Sequence, residues 1–378
     1  MRIAVLLSSH SCLDDRVVVK EAASLARMGH EVVVIAPDLP GDQAIDGIQY
    51  VSLQNPKLGL LARAQRLPAL LRQAIRCDAD VYSCHEPESA LIGLIARAKT
   101  GAPVVFDVHE FYEDTLAVRI GGWRKPIIAW MATRMMRMLG RRSDWITAVC
   151  EPLADLYRSL RNDRRVDIIY NSPIVESFPL CDQSDRDELL VCHDGMIALD
   201  RGALEMLDAL AIARDEIPIR LQFVGTLADD CRELFHRKVE SLGLSDVVDV
   251  SGWLEYSKVG ARLSAGQVGT VALQPVRSNS RLGLPNKLFN YMCCGMACVA
   301  PADTATADLV REANCGLVVD VTNPREIADA WVRLARDGDL RRRLGRNGRA
   351  AVEQKYGWHV MEDVLERVYT QVLAGKQV

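Results

Sequence analysis

An α/β protein of two Rossmann-like domains is predicted by two series of short apolar runs alternating with longer helical patterns, by a polar stretch that parts the series, and by a length able to fill two cores. Continuous apolar strands separated by helices indicate parallel sheets covered on both faces. At 378 residues, 49% hydrophobic and 25% charged, the chain has the material for two such domains and not the composition of a disordered one.

Strand candidates of the first series are Ile3 to Leu7, Glu31 to Ala36, Val81 to Cys84, Val104 to Val108, Trp145 to Val149 and Val166 to Tyr170. The opening run meets His10, Asp14, Asp15 and Arg16 at once, so it reads as a buried strand and not as a signal peptide. Helical spacing of Val18, Ala22, Leu25 and Ala26 marks a helix over Val17 to Met28, closed by Gly29. Asp14-Asp15-Arg16 before it reads as a cap and salt bridge. The loop holds Ser8, Ser9 and His10 but no Gly-x-Gly-x-x-Gly, which removes most of the support for a dinucleotide cofactor.

At Asn171-Ser172-Pro173 and over Cys181 to Glu188, proline, serine and charge replace apolar periodicity, and the linker is expected there. The domains are therefore drawn at 1–175 and 186–356. The second contains strand candidates Leu189 to Cys192, Leu221 to Val224, Val247 to Ser251, Val268 to Leu273, Ala297 to Ala300 and Leu317 to Asp320. A closing helix over Tyr356 to Leu373 has a broad apolar face, Trp358, Met361, Val364, Leu365, Val368 and Val372, that needs a surface to cover.

The formal net charge of -4 argues against a nucleic-acid binder that works through an overall positive field. Eleven cysteines are an odd number and lack zinc-ligand spacing, so they read as small hydrophobes of a reducing cytoplasm. No apolar run approaches the roughly 18 to 20 residues of a membrane span. Two windows without acidic residues, Lys57 to Arg76 and Arg119 to Arg142, mix arginines with leucines, methionines and Trp123 and Trp130. They suit peripheral contact with an anionic membrane, which places the chain in the cytoplasm or on the inner face of the cell membrane.

Ligands of open α/β sheets bind beyond the carboxyl ends of strands, and the chemistry-bearing residues fall there. Leu284-Pro285-Asn286-Lys287-Leu288-Phe289-Asn290 reads as a proline-led helix start, with Lys287 and Leu288 in the first turn and Asn290 on the same face as Lys287. A cation in a first turn opposes the helix dipole unless an anion shares the site, so phosphate is the expected guest. Gly195 lets backbone approach a ligand, and Arg201, near the next helix start, offers a forked pair of hydrogen bonds. In the first domain Asp107-Val108-His109-Glu110 ends a strand, with His109 and Glu110 as catalytic candidates; His85-Glu86-Pro87-Glu88 either holds an acceptor or caps the following helix.

Nearly the whole chain resembles the family 4 glycosyltransferases of GT-B architecture. The resemblance rests on Asp15-Arg16-Val17 through Glu21, Gly29-His30-Glu31-Val32, Asp107-Val108-His109-Glu110, Asp194-Gly195 through Arg201-Gly202, Leu284 to Met292 with Gly295, and Tyr356-Gly357-Trp358. It implies two Rossmann-like domains facing across a cleft, with residues 357–378 crossing back to the N-terminal domain. It also implies retaining transfer of a sugar from a nucleotide-diphosphate sugar to a glycan or lipid-linked acceptor, with no metal and no other cofactor. By the same resemblance His109 lies near the donor sugar and Arg201 and Lys287 at the diphosphate. The family's ribose-gripping glutamate is replaced by Asn290, an earlier glutamate by Leu282, and an arginine by Met196. Asn290→Glu is thus expected to tighten donor binding. The alternative is a weak or inactive GT-B subunit that binds nucleotide or a partner enzyme; a sugar-nucleotide epimerase would need more carboxylates than Glu86, Glu88 and Glu110.

Overall fold

The computed structural model describes residues 1–9, 14–37, 43–45, 47–53, 60–112, 125–163, 165–184 and 187–375. The chain divides into two compact units, Met1–Tyr170 with Met361–Val378, and Asn171–Val360. These edges differ from those expected at 175, 186 and 356. Residues after 170 are paired within the second unit, where the Trp358 amide donates to the Pro173 carbonyl and the Cys181 amide to the Cys294 carbonyl. The described part of the stretch that reads as linker by its proline and charge is therefore bonded backbone of the second unit.

The first unit is an eight-stranded sheet in the order β3-β4-β2-β1-β5-β6-β7-β8. Its strands are β1 (Arg2–Leu6), β2 (Glu31–Ala36), β3 (Gln43–Ile45), β4 (Ile48–Ser52), β5 (Val81–Cys84), β6 (Val104–Val108), β7 (Trp145–Ala148) and β8 (Val166–Ile168). Among the described residues only the β3–β4 pair is antiparallel. Sequence reading misses β3 and β4, because β4 alternates buried Ile48, Tyr50 and Ser52 with exposed Gln49 and so never forms a continuous apolar run.

The first helix, α1, begins as a π-helical run, Asp15–Ala22, and continues as an α-helix, Ala23–Arg27. Asp14 caps it by accepting the Val17 amide at 2.9 Å. In an α-helix residues five apart stand about 140° round the axis, whereas the wider spiral brings them onto one face. Two ion pairs use that spacing, Lys20 with Asp15 at 2.6 Å and Arg16 with Glu21 at 3.0 Å. Two further helices matter for the unit, α2 (Pro87–Thr100) and α3 (Lys125–Arg142).

The second unit is a six-stranded, all-parallel sheet in the order β11-β10-β9-β12-β13-β14. Its strands are β9 (Leu189–Asp194), β10 (Ile219–Val224), β11 (Val248–Val250), β12 (Val268–Thr270), β13 (Ala297–Pro301) and β14 (Gly316–Val319). The direction of strand succession reverses at β9, so the carboxyl end of that strand is the topological switch point, where such sheets take ligands. Helices α4 (Ala203–Arg214) and α5 (Asn286–Cys293) open beside it. The core includes Met206, Leu210, Phe223 and the fully buried Trp331, whose indole N–H donates to Thr270 Oγ1 at 2.9 Å.

The apolar face expected of the closing helix, α6 (Trp358–Ala374), finds its cover: Met361, Leu365, Val368, Tyr369 and Val372 are buried, and everything from Met361 onward belongs to the first unit. The described cysteines are free thiols, mostly buried, and burial pushes Cys192 and Cys293 up to about 12. They behave as core hydrophobes.

Gly269 in β12 exists for the ring of Tyr291, which lies 2.2 Å from where a Cβ would stand. Gly269→Ala is expected to displace that ring and destabilise the second unit by about 1–3 kcal/mol, read as a lower urea midpoint in equilibrium unfolding.

Candidate active site

Each unit gathers polar side chains at the carboxyl ends of its central strands. In the first, Asp107 from β6 is 1% exposed and accepts from Arg16 through Nε at 3.1 Å and Nη2 at 3.0 Å, from Thr147 at 2.7 Å and from His109 Nε2 at 2.7 Å. Burial alone would raise its pKa, but Arg16 above all and then His109 hold the carboxyl well below the usual carboxylate range. Glu21 shows the opposite outcome: burial and the charge of Asp107 push it well above that range, against the pull of Arg16. Burial holds His109 down to about 4, against the pull of Asp107, so its imidazole is neutral at physiological pH.

Glu110 follows His109 half-buried, and its charge, after burial and Glu86, helps hold the Tyr112 phenol well above its ordinary range. The Tyr112 hydroxyl donates to the His85 carbonyl at 3.0 Å. Glu86, left open between acceptor binding and capping, caps α2 in a reciprocal pair with Ser89 and accepts the amides of Ser8 and Ser9 at 3.1 and 2.9 Å. Arg16 forms the salt bridge that the sequence suggests, and it does so buried, with Asp107 and Glu21 as partners. His85, Asp107 and His109 offer ligand atoms within 4.8 Å of one another, a spacing a metal ion would accept. Their chemistry fits a hydrogen-bond cluster better, because the Arg16 guanidinium already engages both oxygens of Asp107 and would repel a cation.

In the second unit α5 begins at Asn286 directly after Pro285, as the sequence predicts, and holds Lys287 in its first turn with 7% exposure. Its ammonium donates to His193 Nε2 at 3.0 Å, while His193 Nδ1 faces the Thr270 carbonyl at 3.3 Å. Burial, reinforced by Lys287, keeps His193 well below its usual pKa, so a neutral ring donates from Nδ1 and accepts at Nε2. Burial likewise lowers Lys287 to about 7, opposed by Asp194 and assisted by Arg201. Gly195 adopts φ 89°, with the Lys287 ammonium 3.9 Å from where a Cβ would stand, and Gly225 must be glycine because a Cβ there would stand 2.0 Å from the Gly195 carbonyl oxygen.

Arg201 ends a short 3-10 turn and is half-buried, and among the described residues no hydrogen bond or ion pair engages its guanidinium. Leu288 is buried, with its amide on the Pro285 carbonyl, so it anchors the helix start through the core. Asn290 corrects an expectation: it is 4% exposed and donates to Asp194 Oδ2 at 2.6 Å. A glutamate at 290 would meet Asp194 carboxylate to carboxylate, so the expected gain from Asn290→Glu has no geometric basis. Met196 and Leu282 are exposed apolar groups where the resemblance anticipates charge.

Sequence reasoning placed His193, Asp194 and Tyr291 inside its motifs but gave them no role; the Tyr291 hydroxyl accepts the Asp194 amide at 2.8 Å. The signal was available, since a His-Asp pair ends the otherwise apolar run of β9.

Residues 15–172 match the family model Glycosyltransferase Family 4, and residues 183–351 match Glycosyl transferases group 1. The chain belongs to the family 4 glycosyltransferases. Among curated relatives, phosphatidyl-myo-inositol mannosyltransferase of Mycobacterium leprae is 26% identical and covers 96% of this chain and 94% of its own. MMP alpha-(1->4)-mannosyltransferase of Mycolicibacterium hassiacum is 23% identical over 79% of this chain and 72% of its own. Of solved structures, sucrose-phosphate synthase from Thermosynechococcus elongatus superposes with a TM-score of 0.78 at 17% identity, covering 99% of each chain. Anabaena HepE in complex with UDP and glucose gives 0.73 at 15% identity over 98% of this chain and all of that one. As a glycosyltransferase of GT-B fold, the chain is an enzyme of sugar transfer.

A buried lysine lowered from its ordinary 10.5 to about 7 burdens the apo fold. Between those values the unfolded chain binds the extra proton, so this group makes stability rise with pH. Lys287→Met is expected to be more stable than the parent near pH 7 and to lose that part of the rise, as urea unfolding at about pH 7 and about pH 9 will report.

Proposed function

We propose that this glycosyltransferase moves a sugar, with retention of configuration and without a metal, from a nucleotide-diphosphate sugar to a glycan or lipid-linked acceptor in glycoconjugate or polysaccharide biosynthesis. The observation that carries the reading is the buried ammonium of Lys287 at the start of α5, with the Arg201 guanidinium nearby and Asp194 already engaged by Asn290. Cations and first-turn amides in a dry site favour a dianionic guest such as a diphosphate. Two fixed side-chain charges supply the neutralisation that a metal would otherwise provide. The HepE complexes with UDP and with UDP-glucose, and the mannosyl-transferring relatives, are consistent with such a donor.

In this scheme Lys287 and Arg201 hold the diphosphate, and His109 and Glu110 are the catalytic groups. A neutral imidazole suits hydrogen bonding to a sugar hydroxyl rather than charge stabilisation. The exposed Met196 and Leu282 favour a second reading, a nucleotide-binding subunit of little activity. Release of nucleoside diphosphate from a donor, lost in His109→Ala, would dismiss that reading. Retention will be read from the anomeric NMR signal of the product.

The acceptor reading extends to a membrane surface. On α3 the core face carries Ala132, Met136 and Leu139, while Ile127, Trp130 and Met131 are 54%, 60% and 58% exposed in one stripe with Arg134, Arg137 and Arg141. Arg134 lies over the Trp130 ring at 4.9 Å. The other basic window contributes less, because Arg66 is buried and donates to the Ser8 carbonyl; Lys57 and Arg119 lie outside the described residues. No helix among the described residues is long and apolar enough to cross a membrane.

Three outcomes are expected. Calorimetric titration with UDP, GDP and ADP will find at least one ligand whose affinity holds below about pH 7 and weakens by up to about tenfold per pH unit above it, with proton uptake on binding, because the bound anion needs Lys287 charged. Arg201→Ala and Lys287→Ala should each weaken that ligand by about tenfold or more. Vesicles rich in phosphatidylglycerol should sediment the protein where phosphatidylcholine vesicles do not, and Trp130→Ala with Arg134→Glu should abolish it.

A further inference from the structure

We propose that Tyr369 on α6 acts through Ser83 and His85 as a positioning relay that sets the tautomer and ring orientation of His109. The inference rests on the reading of His109 as a group that meets the donor sugar. The Tyr369 hydroxyl donates to Ser83 Oγ at 2.7 Å, and Ser83 Oγ lies 3.0 Å from His85 Nε2. His85 Nδ1 stands 3.3 Å from both Asp107 Oδ2 and His109 Nε2, the rings meeting edge to face with centroids 5.4 Å apart. Tyr369, Ser83, His85 and Asp107 are between 1% and 2% exposed, and the line ends at a His109 side chain that is 14% exposed.

We assign the protons in this line from its buried end. Burial keeps the Tyr369 phenol protonated, so it donates to Ser83. Ser83 then directs its own proton at His85 Nε2, which leaves His85 protonated on Nδ1 and pointing it at Asp107 Oδ2. The reverse tautomer would aim a lone pair at a carboxylate oxygen. His109 converges on the same oxygen with Nε2–H at 2.7 Å, so its Nδ1 is the acceptor nitrogen. Among the described residues, the charged and titratable groups that bear on the two rings include Asp107 and Arg16, with Glu21 behind Arg16 and the Tyr112 hydroxyl on the His85 carbonyl. Buried polar groups in line are tolerated only when each donor meets an acceptor, and loss of one hydroxyl at the far end upsets the order of those beyond it.

The test uses full-length protein labelled with 15N at its seven histidines, with the imidazole nitrogens assigned through His85→Gln and His109→Ala. In the parent, His85 should show Nδ1–H and His109 Nε2–H. Tyr369→Phe, which removes one oxygen, and Ser83→Ala should each move the His85 and His109 nitrogen resonances toward mixed tautomers. Each should lower kcat about fivefold to tenfold with donor KM nearly unchanged, and the double variant should be no worse than either single one. Unmoved resonances, or additive losses accompanied only by a lower Tm, would overturn the relay. So would an unchanged kcat in both relay variants while His109→Ala is inactive. Moved resonances with full activity in His109→Ala would overturn the proposal through its premise, the role of His109, and would leave the hydrogen-bonded line itself intact.

Discussion

A charge taken out of water must find a partner, and in each unit that requirement organises the carboxyl edge of the sheet. In the first, Asp107 is satisfied by a forked arginine, a threonine and an imidazole, and burial with the charge of Asp107 pushes Glu21 well above the usual carboxylate range against the pull of Arg16. In the second, the compensation is incomplete. Lys287 leans on a neutral imidazole, Asp194 is shared with an asparagine amide, and Arg201 adds a second cation. The first cluster is closed upon itself, whereas the second retains an excess of positive charge that an anionic ligand can neutralise.

The same contrast separates stability from function. Around Asp107 nearly every donor has an acceptor, so the cluster stiffens the ends of β6 and β7 and fixes the ring of His109 at the margin of a rigid body. Around Lys287 the fold carries an unfavourable group beside Gly195, whose carbonyl leaves no room for a Cβ at Gly225. A site whose apo form is electrostatically strained is one in which binding energy can be recovered, since the ligand removes the cost that the fold sustains.

Most of the architecture was legible because parallel strands buried on both faces leave long apolar runs, and glycine and proline mark where helices stop and start. β4 escaped because it is half-buried and alternates. At the site, the strand-end position of His109 and the proline-led placement of Lys287 could be read locally. Pairings between distant residues could not: Arg16 meets Asp107 across 91 positions and Asn290 meets Asp194 across 96, and no spacing rule encodes such encounters. Asn290 illustrates the cost, since its amide looks available on a helical wheel and is spent on a strand end. Arg66 illustrates it again, as one member of a basic window that the fold turns inward.

The π-helical opening of α1 has a consequence for how this enzyme tolerates change in length. A wide turn is what a helix becomes when it accommodates one surplus residue without shifting its ends. Excising a single amino acid between Asp15 and Ala22 would let the backbone tighten into an ordinary spiral at little local expense. Yet it would rotate Arg16 and Glu21 apart and leave the interior acid beside β7 short of its cation. The segment therefore behaves as a register lock, neutral toward helix formation and strict about which faces of that helix look inward.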